Sequence, residues 1–552
     1  MTPPTLPPAP PAAQRPPRLS RVRSRRRLLG LLARRHGAWC TTWTALTGLT
    51  ALGTVRAYAT SYPTAQARHA AVRLNRHGAT TLLYGRLRDP GTPGQMFAWE
   101  MGTFLTLLAS VAAVLLAVRL TRAAEDDGTL ETLRACGLRP GDTLRAGLLL
   151  MLAAAVSLGA ATALGTGVYA GREDGVTWTG ALVLGAVVTL TFLLTGTGTA
   201  VVAQLVPSAP AARAAGAAGV GLALLVRAAA DTGDRPALQW FSPLALRAVA
   251  EPFGGDRWTA LLPGLLECLA LAALALRLQA GRELGASLLR LPARGPRRLH
   301  IASATGLAWR RHRAALTAWL ASVATGAALL TAMGSGVVTS ARRGQLGGGF
   351  LADQLGGADP ASAFLAYIGT LTGITVSALA ILTVLRHVSD EAGGLGEPLR
   401  AAGCPPGGPL RAQLTVGLLG AFGVLAATAV AVALAARTAL PGADSARDAF
   451  TEILAQWPAV AALAGLAALA AGAVPRRAWL AWLPFSAAVA ATLLGRLLDL
   501  PELLVDLSVF GHTGGGTAPT TGLLPQGTLL ALAGLAAAAG LAAVPRRDAA
   551  LG

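Results

Sequence analysis

The chain reads as an all-α polytopic membrane protein, with about twelve transmembrane helices arranged as two parallel six-helix repeats. Three observations predict this. Of its 552 residues, 53% are hydrophobic and only 13% charged. Apolar runs of about 18 or more residues recur along it, enough to cross a hydrocarbon core of ~30 Å as helix. A charged stretch of 22 residues occurs twice, once in each half. Lipid offers the backbone no hydrogen bonds, so only helices and closed barrels span it, and these runs are continuous in Ala, Leu, Val and Gly rather than alternating.

Twelve stretches qualify as spans: residues 37–55, 96–118, 146–170, 176–205, 212–228, 259–276, 314–340, 362–385, 413–436, 451–474, 478–498 and 527–544. The second and third are the clearest; the fifth ends at Arg227 and the eleventh near Arg496. A net charge of +20 raises nucleic acid as a partner, but the basic residues lie where a bilayer sorts them. With both termini cytoplasmic, the inner loops, tails and inner span ends hold 31 of the 47 basic residues. Positive-inside asymmetry and attraction to anionic membrane lipid account for the charge, and no nucleic acid is needed. This places the protein in the plasma membrane as a multi-pass chain with both ends inside. Residues 1–29, which begin with the proline-rich TPPTLPPAPPAAQRPP, read as a disordered cytoplasmic tail, and the basic segment after them as an amphipathic lead on the inner face. Cysteines at 40, 136, 268 and 404 have neither metal-ligand spacing nor outer-loop positions, so neither a zinc site nor a disulfide framework is expected.

The repeat is direct. EDDGTLETLRACGLRPGDTLRA (125–146) and EAGGLGEPLRAAGCPPGGPLRA (391–412) share 12 of 22 positions without a gap. Ahead of each half's first span, GLLARRHGAWCTTW (30–43) and GLAWRRHRAALTAW (306–319) share 8 of 14. Each half therefore has a basic lead, six spans and a charged loop after its second span. Six is even, so the halves share one orientation, with residues 30–298 as the first permease-like half and 299–552 as the second. In the first loop Glu125, Asp126 and Asp127 suit the positive end of a short helix, Leu130, Leu133 and Gly137 share a face, and Gly137 with Pro140 ends it. In the second, Asp390 and Glu391 open, Leu395 and Leu399 form the apolar pair, and Gly403, Pro405 and Pro406 close. One such loop reads as a solvated connector; two at matched places read as a docking surface for a cytoplasmic partner.

These residues carry a family resemblance. VRLTRAAEDDGTLETLRACGLRPG (118–141), RHVSDEAGGLGEPLRAAG (386–403), LQWFSPLALRAVAEPFGGDRW (238–258), GRELGASLL (281–289), GLAWRRHR (306–313) and DLSVFGHTGGG (506–516) stand in an order that resembles the ABC-2 type permeases of the polyketide-antibiotic exporter family, two fused six-span halves. The resemblance implies that the loops are coupling helices seated in clefts of a separately encoded ABC ATPase, in two copies. The residues concerned are Glu125, Asp126, Asp127, Gly128, Glu131, Leu133, Arg134 and Gly137, then Glu391, Gly394, Glu397, Leu399, Arg400 and Gly403. Arg34, Arg35 and His36, with Arg310, Arg311 and His312, would belong to elbow helices at the inner surface. Segments 229–258 and 499–526, with Ser242, Pro243 and Ser508, would be outer lids. The chain departs from the family at Thr129 and Leu395, where an arginine is usual, and at Ser508-Val509, where serine-proline is usual.

All 47 basic residues are arginine, and a P-loop needs a lysine to reach the nucleotide phosphates. The chain is therefore expected to bind no cofactor, with ATP held by the partner, and to be a transporter subunit rather than an enzyme. Within the spans Glu267 is the outstanding anomaly, because a carboxylate at membrane depth faces a cavity or a partner. It is a candidate for the path of a hydrophobic small-molecule cargo, with a paired or protonated structural residue as the other reading. The expected function is the permease subunit of an ATP-driven exporter of such molecules, polyketide-type antibiotics or drugs. Export of lipid or an envelope precursor stands as the alternative, and a non-transporting membrane regulator coupled to an ATPase as one of another class.

Overall fold

The computed structural model describes residues 21–61, 63–66, 68–69, 84–85, 91–232, 235–283, 285–288, 303–342, 359–440, 444–494, 506, 508–513 and 523–547. Residues 1–20 of the expected tail, most of the loop after the first span and most of segment 499–526 lie outside them. Every regular element among the described residues is helical. The chain divides into two compact units, Met1–Arg56 with Thr92–Pro292, and Ala57–Gly91 with Ala293–Gly552.

The first unit holds α1 (Arg21–Ser61, as far as Arg56), α2 (Pro93–Leu120), α3 (Arg122–Asp126), α4 (Thr129–Ala135), α5 (Pro140–Gly167), α6 (Trp178–Leu205), α7 (Ala209–Thr232), α8 (Leu246–Ala250) and α9 (Leu262–Ala280). The second holds α10 (Ala304–Arg342), α11 (Pro360–Ala392), α12 (Gly396–Ala401), α13 (Gly408–Ala439), α14 (Ser445–Leu454), α15 (Trp457–Ala473), α16 (Trp482–Leu494) and α17 (Leu523–Ala543). Among the described residues ten helical stretches are long and apolar enough to cross a membrane, which makes this a multi-pass membrane protein. They match ten of the twelve expected spans. Stretch 37–55 lies within the 41-residue α1, which carries a basic first half. Of 478–498, the described part is a 3-10 turn from Pro475 to Ala481 followed by the 13-residue α16, and residues 495–498 lie outside the described set.

Two local details differ from the sequence reading. The basic leads are not separate surface helices: lead and span form one helix in each half, α1 and α10. The fifth span does not end at Arg227; α7 runs on to Thr232, and Arg227 is buried, facing Asp231 one turn later.

Helix starts are chemically marked. Thr92 accepts from the Gln95 amide while Gln95 accepts from the Thr92 amide, a reciprocal cap. Thr177 caps α6 through the Gly180 amide, and Asp359 caps α11 through the amides of Ala361 and Ser362. Inside the spans, threonine hydroxyls donate to the carbonyl four residues back, as Thr162 does to Leu158, Thr197 to Leu193 and Thr428 to Val424. Each of these hydroxyls is thereby satisfied within its own helix.

Packing follows small residues, since lipid tails are as apolar as leucine and supply little drive for helices to associate. In the first unit α6 lies centrally, against α2, α5 and α9. A methyl group on Gly159 of α5 would strike the Gly185 carbonyl of α6, and one on Gly185 would lie 2.5 Å from the Gly159 carbonyl. α1 meets α5 through Gly48, Ala161 and Gly165, with Thr44 and Ser157 hydroxyls 3.0 Å apart. In the second unit α10 packs on α13, where Leu316 covers Gly420, and α15 packs on α17, where Gly465 and Gly472 face Ala533 and Gly540. The fourth span there breaks at Ala455 and Gln456 before Pro458, and the buried Gln456 amide oxygen accepts from Thr513.

Gly472→Leu is expected to separate α15 from α17 and to destabilise the protein by about 1–3 kcal/mol or more, as overpacking does. Gly534→Leu, on the same α17 with open space beside it, is expected to leave the melting temperature nearly unchanged. Thermal unfolding of the detergent-solubilised variants checks this, and equal shifts would contradict the packing described.

Candidate functional site

The first charged loop is built from α3 and α4, joined at Asp127 and Gly128. The three acids do not act together. Glu125 lies between two guanidinium groups: Arg122 donates to it at 2.6 Å, and Arg282, which follows α9, donates to both its oxygens. All three side chains are 5% exposed or less. Arg122 also donates to the carbonyls of Pro207, Gly285 and Ala286, and Arg282 also reaches Gln204. Asp126 accepts from the Ala209 amide at 2.7 Å, so it caps the start of α7 rather than α4. Only Asp127 serves α4, accepting from the Thr129 amide at 3.0 Å, and it also receives Arg35 of α1 at 3.1 Å. Partial burial raises the Asp127 carboxyl, but hydrogen bonds from Thr129 and Arg35 outweigh it and hold it below the ordinary carboxylate value.

The second loop repeats this plan with other residues. α11 continues through Asp390 and Glu391, which therefore end the span helix and do not start the short one; α12 begins at Gly396 with Glu397 in its first turn. Arg311 of α10, the partner of Arg35 in the repeat, donates to Asp390 at 2.7 Å. Gln413 also donates to Asp390, and its carbonyl oxygen faces His312 at 2.8 Å. Arg547, just past α17, donates to Glu391 at 2.6 Å, with His387 alongside. Leu395 and Leu399 line a cavity of about 40 Å³ with Arg311, His387, Glu391 and Arg400.

Backbone geometry matches the sequence repeat. Gly128 and Gly394 have φ of +74° and +76°, and Gly137 and Gly403 have φ of +88° and +83°, a left-handed region that only glycine enters cheaply. After each short helix the same closure forms, Leu138 to Leu133 in the first loop and Cys404 to Leu399 in the second. Of the apolar face, Leu130 is buried and Leu133 half-buried. Glu131 and Glu397 are exposed and pair with no described residue, and Arg400 is exposed as well, while Arg134 is half-buried. Of the remaining residues of the leads, Arg34 and Arg310 are exposed, and His36 is buried, its imidazole pushed below its usual value by burial and by Arg35 and Arg119.

The other expected residues gather elsewhere. Ser242 is buried and donates to the Ala223 carbonyl of α7 at 2.7 Å; Ser508 is buried and donates to the Ala488 carbonyl of α16 at 3.1 Å. Each serine thus ties its segment to the fifth-span helix of its own half, and Ser508 does so without the proline. The Pro243 carbonyl accepts from Thr191 of α6. Glu267 lies on the exposed side of α9 and shares a cavity of about 210 Å³ with Leu194, Trp240, Ser242, Pro243, Leu246, Pro263 and Gly264. Close by, Arg227, Asp231 and Arg247 are all buried, with Gln239 donating to Asp231 at 2.9 Å. Burial and the neighbouring Arg227 push Arg247 down to about 9, against the pull of Asp231.

Arg122, Arg282 and Arg547 are the members that the sequence reading missed. The signal of Arg282 and Arg547 was an arginine soon after the sixth span of each half, in GRELGASLL and VPRRD, which reads as positive-inside charge until the fold brings it to the loop; Arg122 stands at the end of the second span, three residues before Glu125. Glu125→Ala would leave two arginines buried against each other and is expected to destabilise by about 3–5 kcal/mol, the range for breaking a buried pair. Glu391→Ala, whose partner Arg547 is 15% exposed, is expected to cost less. Melting temperatures of the two variants check the order, and a larger shift for Glu391→Ala would refute it.

The family model for the C-terminal domain of the multidrug efflux system permease Rv1217c matches residues 301–544, which include the second charged loop. Over 500 residues the chain is 31% identical to the multidrug efflux system permease protein Rv1217c of Mycobacterium tuberculosis (strain ATCC 25618 / H37Rv), covering 89% of this chain and 88% of that protein. With this identity along nearly the whole of both sequences, the chain belongs to the family of multidrug efflux system permeases that includes Rv1217c.

Proposed function

We propose that this protein is the membrane-embedded permease subunit of an ATP-driven exporter of hydrophobic small molecules, drugs or polyketide-type antibiotics among them. A separately encoded ABC ATPase, in two copies, docks on the two charged loops from the cytoplasm, where both termini also lie. The relative's name supports the cargo class, a multidrug efflux system. The observation that carries the mechanism is the division of labour within each loop. One glutamate, Glu125 or Glu391, is committed to an arginine from the end of its half, while the other, Glu131 or Glu397, stands exposed on the short helix and pairs with no described residue. A surface that receives force needs such a division, a base fixed to the bundle and a free face for the partner. Arg35 and Arg311 add a second tie, to the first helix of each half. ATP-driven closure of the ATPase pair then pushes on α4 and α12, and each loop passes the displacement to the first and last helices of its half. The cargo path is alternately exposed to the two sides.

Replacing Glu131 and Glu397 together by alanine is expected to lower ATP-dependent drug export at least about tenfold, or roughly 1.4 kcal/mol, with insertion and melting temperature unchanged because neither side chain is committed to the fold. Export and ATPase co-purification are measured on membranes of the same cells. Wild-type export and undiminished ATPase capture in the double variant would overturn the coupling role.

A further inference from the structure

The cavity at the start of α9 holds one polar group that the fold leaves uncommitted. Ser242 spends its hydroxyl on the Ala223 carbonyl. Glu267 is exposed, pairs with no described residue, and lies on a helix face that also carries exposed Leu274 two turns on, with exposed Leu266 beside it. The helix has the length and composition of a membrane span, so this carboxylate stands among apolar groups, where an isolated charge is costly and a counter-charge relieves the cost. Trp240, 46% exposed, lines the same cavity and offers a π-face, which attracts cations. No basic side chain lines it. The nearby arginines are turned elsewhere: Arg227 faces Asp231, and the stem of Arg247 lies against Gly102 of α2.

The geometry points to this cavity as a binding site for lipophilic organic cations, with Glu267 neutralising the cationic centre, Trp240 covering it, and Leu194 and Leu246 taking the adjoining apolar part. A cavity of about 210 Å³ holds the charged end of such a molecule, and the exposed Leu266 and Leu274 of α9 receive its body. A neutral molecule of the same shape would leave the carboxylate unpaired, so the site selects by charge. This rests on the export reading above and deepens it, naming cationic amphiphiles as a preferred cargo class.

Binding of ethidium, a lipophilic monovalent cation, is measured by fluorescence anisotropy on the full chain in nanodiscs of zwitterionic lipid. Glu267→Gln is expected to weaken binding about tenfold or more, the worth of roughly 1.4 kcal/mol, while Glu267→Asp stays within about threefold of the wild type. If Glu267→Gln fails to fold, Trp240→Leu carries the test and is expected to weaken binding several-fold. Absence of ethidium binding to the wild type, or wild-type affinity in the variant that reports, would overturn the proposal. The readout needs no ATP and no partner, so a failure of the coupling reading appears in the paired-glutamate export experiment and a failure of the cation site appears here.

Discussion

A carboxylate held by an arginine from the far end of the same half is the interaction that orients each charged loop. Glu125 sits between Arg122 and Arg282, and Glu391 receives Arg547. A buried pair of this kind contributes little net stability, because desolvation offsets most of the Coulomb attraction, but breaking it is costly. Its value is positional. A short helix between two spans has too little apolar surface to fix its own orientation, and ties to the helices that open and close its half supply what packing cannot.

The two halves reach this arrangement with different residues. The first uses two arginines on one buried glutamate, with Gln204 accepting from Arg282; the second uses one arginine with a histidine beside it, and Gln413 donating to Asp390. What is preserved is the placement of charge and the left-handed glycines at 128, 394, 137 and 403, which turn the chain into and out of the short helix. Elsewhere in the bundle, glycines where helices cross set how closely backbones approach, and the serines at 242 and 508 fasten their segments to the fifth helices. A protein with little hydrophobic drive between its helices is thus held by close approach, internal threonine bonds and a small number of placed polar ties.

In the proposed mechanism these ties make each loop a rigid lever instead of a flexible connector. Displacement of α4 or α12 cannot be absorbed locally, since the acids beside each short helix are fixed to the first and last helices of its half. Family membership and the unpaired glutamates on the free face both suit this reading, and the acid-lined cavity beside α9 lies well removed in sequence from the levers that would drive it.

Much was legible in the linear sequence, because a membrane imposes long apolar runs and a repeat announces itself by identity. Ten spans, the two charged loops and the glycine stops at 137 and 403 follow from composition and alignment alone. Three features had no linear signal. That α1 and α10 run unbroken through their basic leads and set Arg35 and Arg311 against acids on the loops rests on contacts between residues 92 and 79 positions apart. The division of the acidic run into a buried pair, a cap for α7 and a cap for α4 was invisible because all three are the same kind of residue, and only their neighbours in space tell them apart. Arg282 and Arg547 looked like sorted surface charge. The sequence by itself determined which segments enter the membrane and where the halves repeat, since hydropathy and identity are local properties. Only the tertiary structure decided which charge answers which, because pairing depends on distances that packing sets.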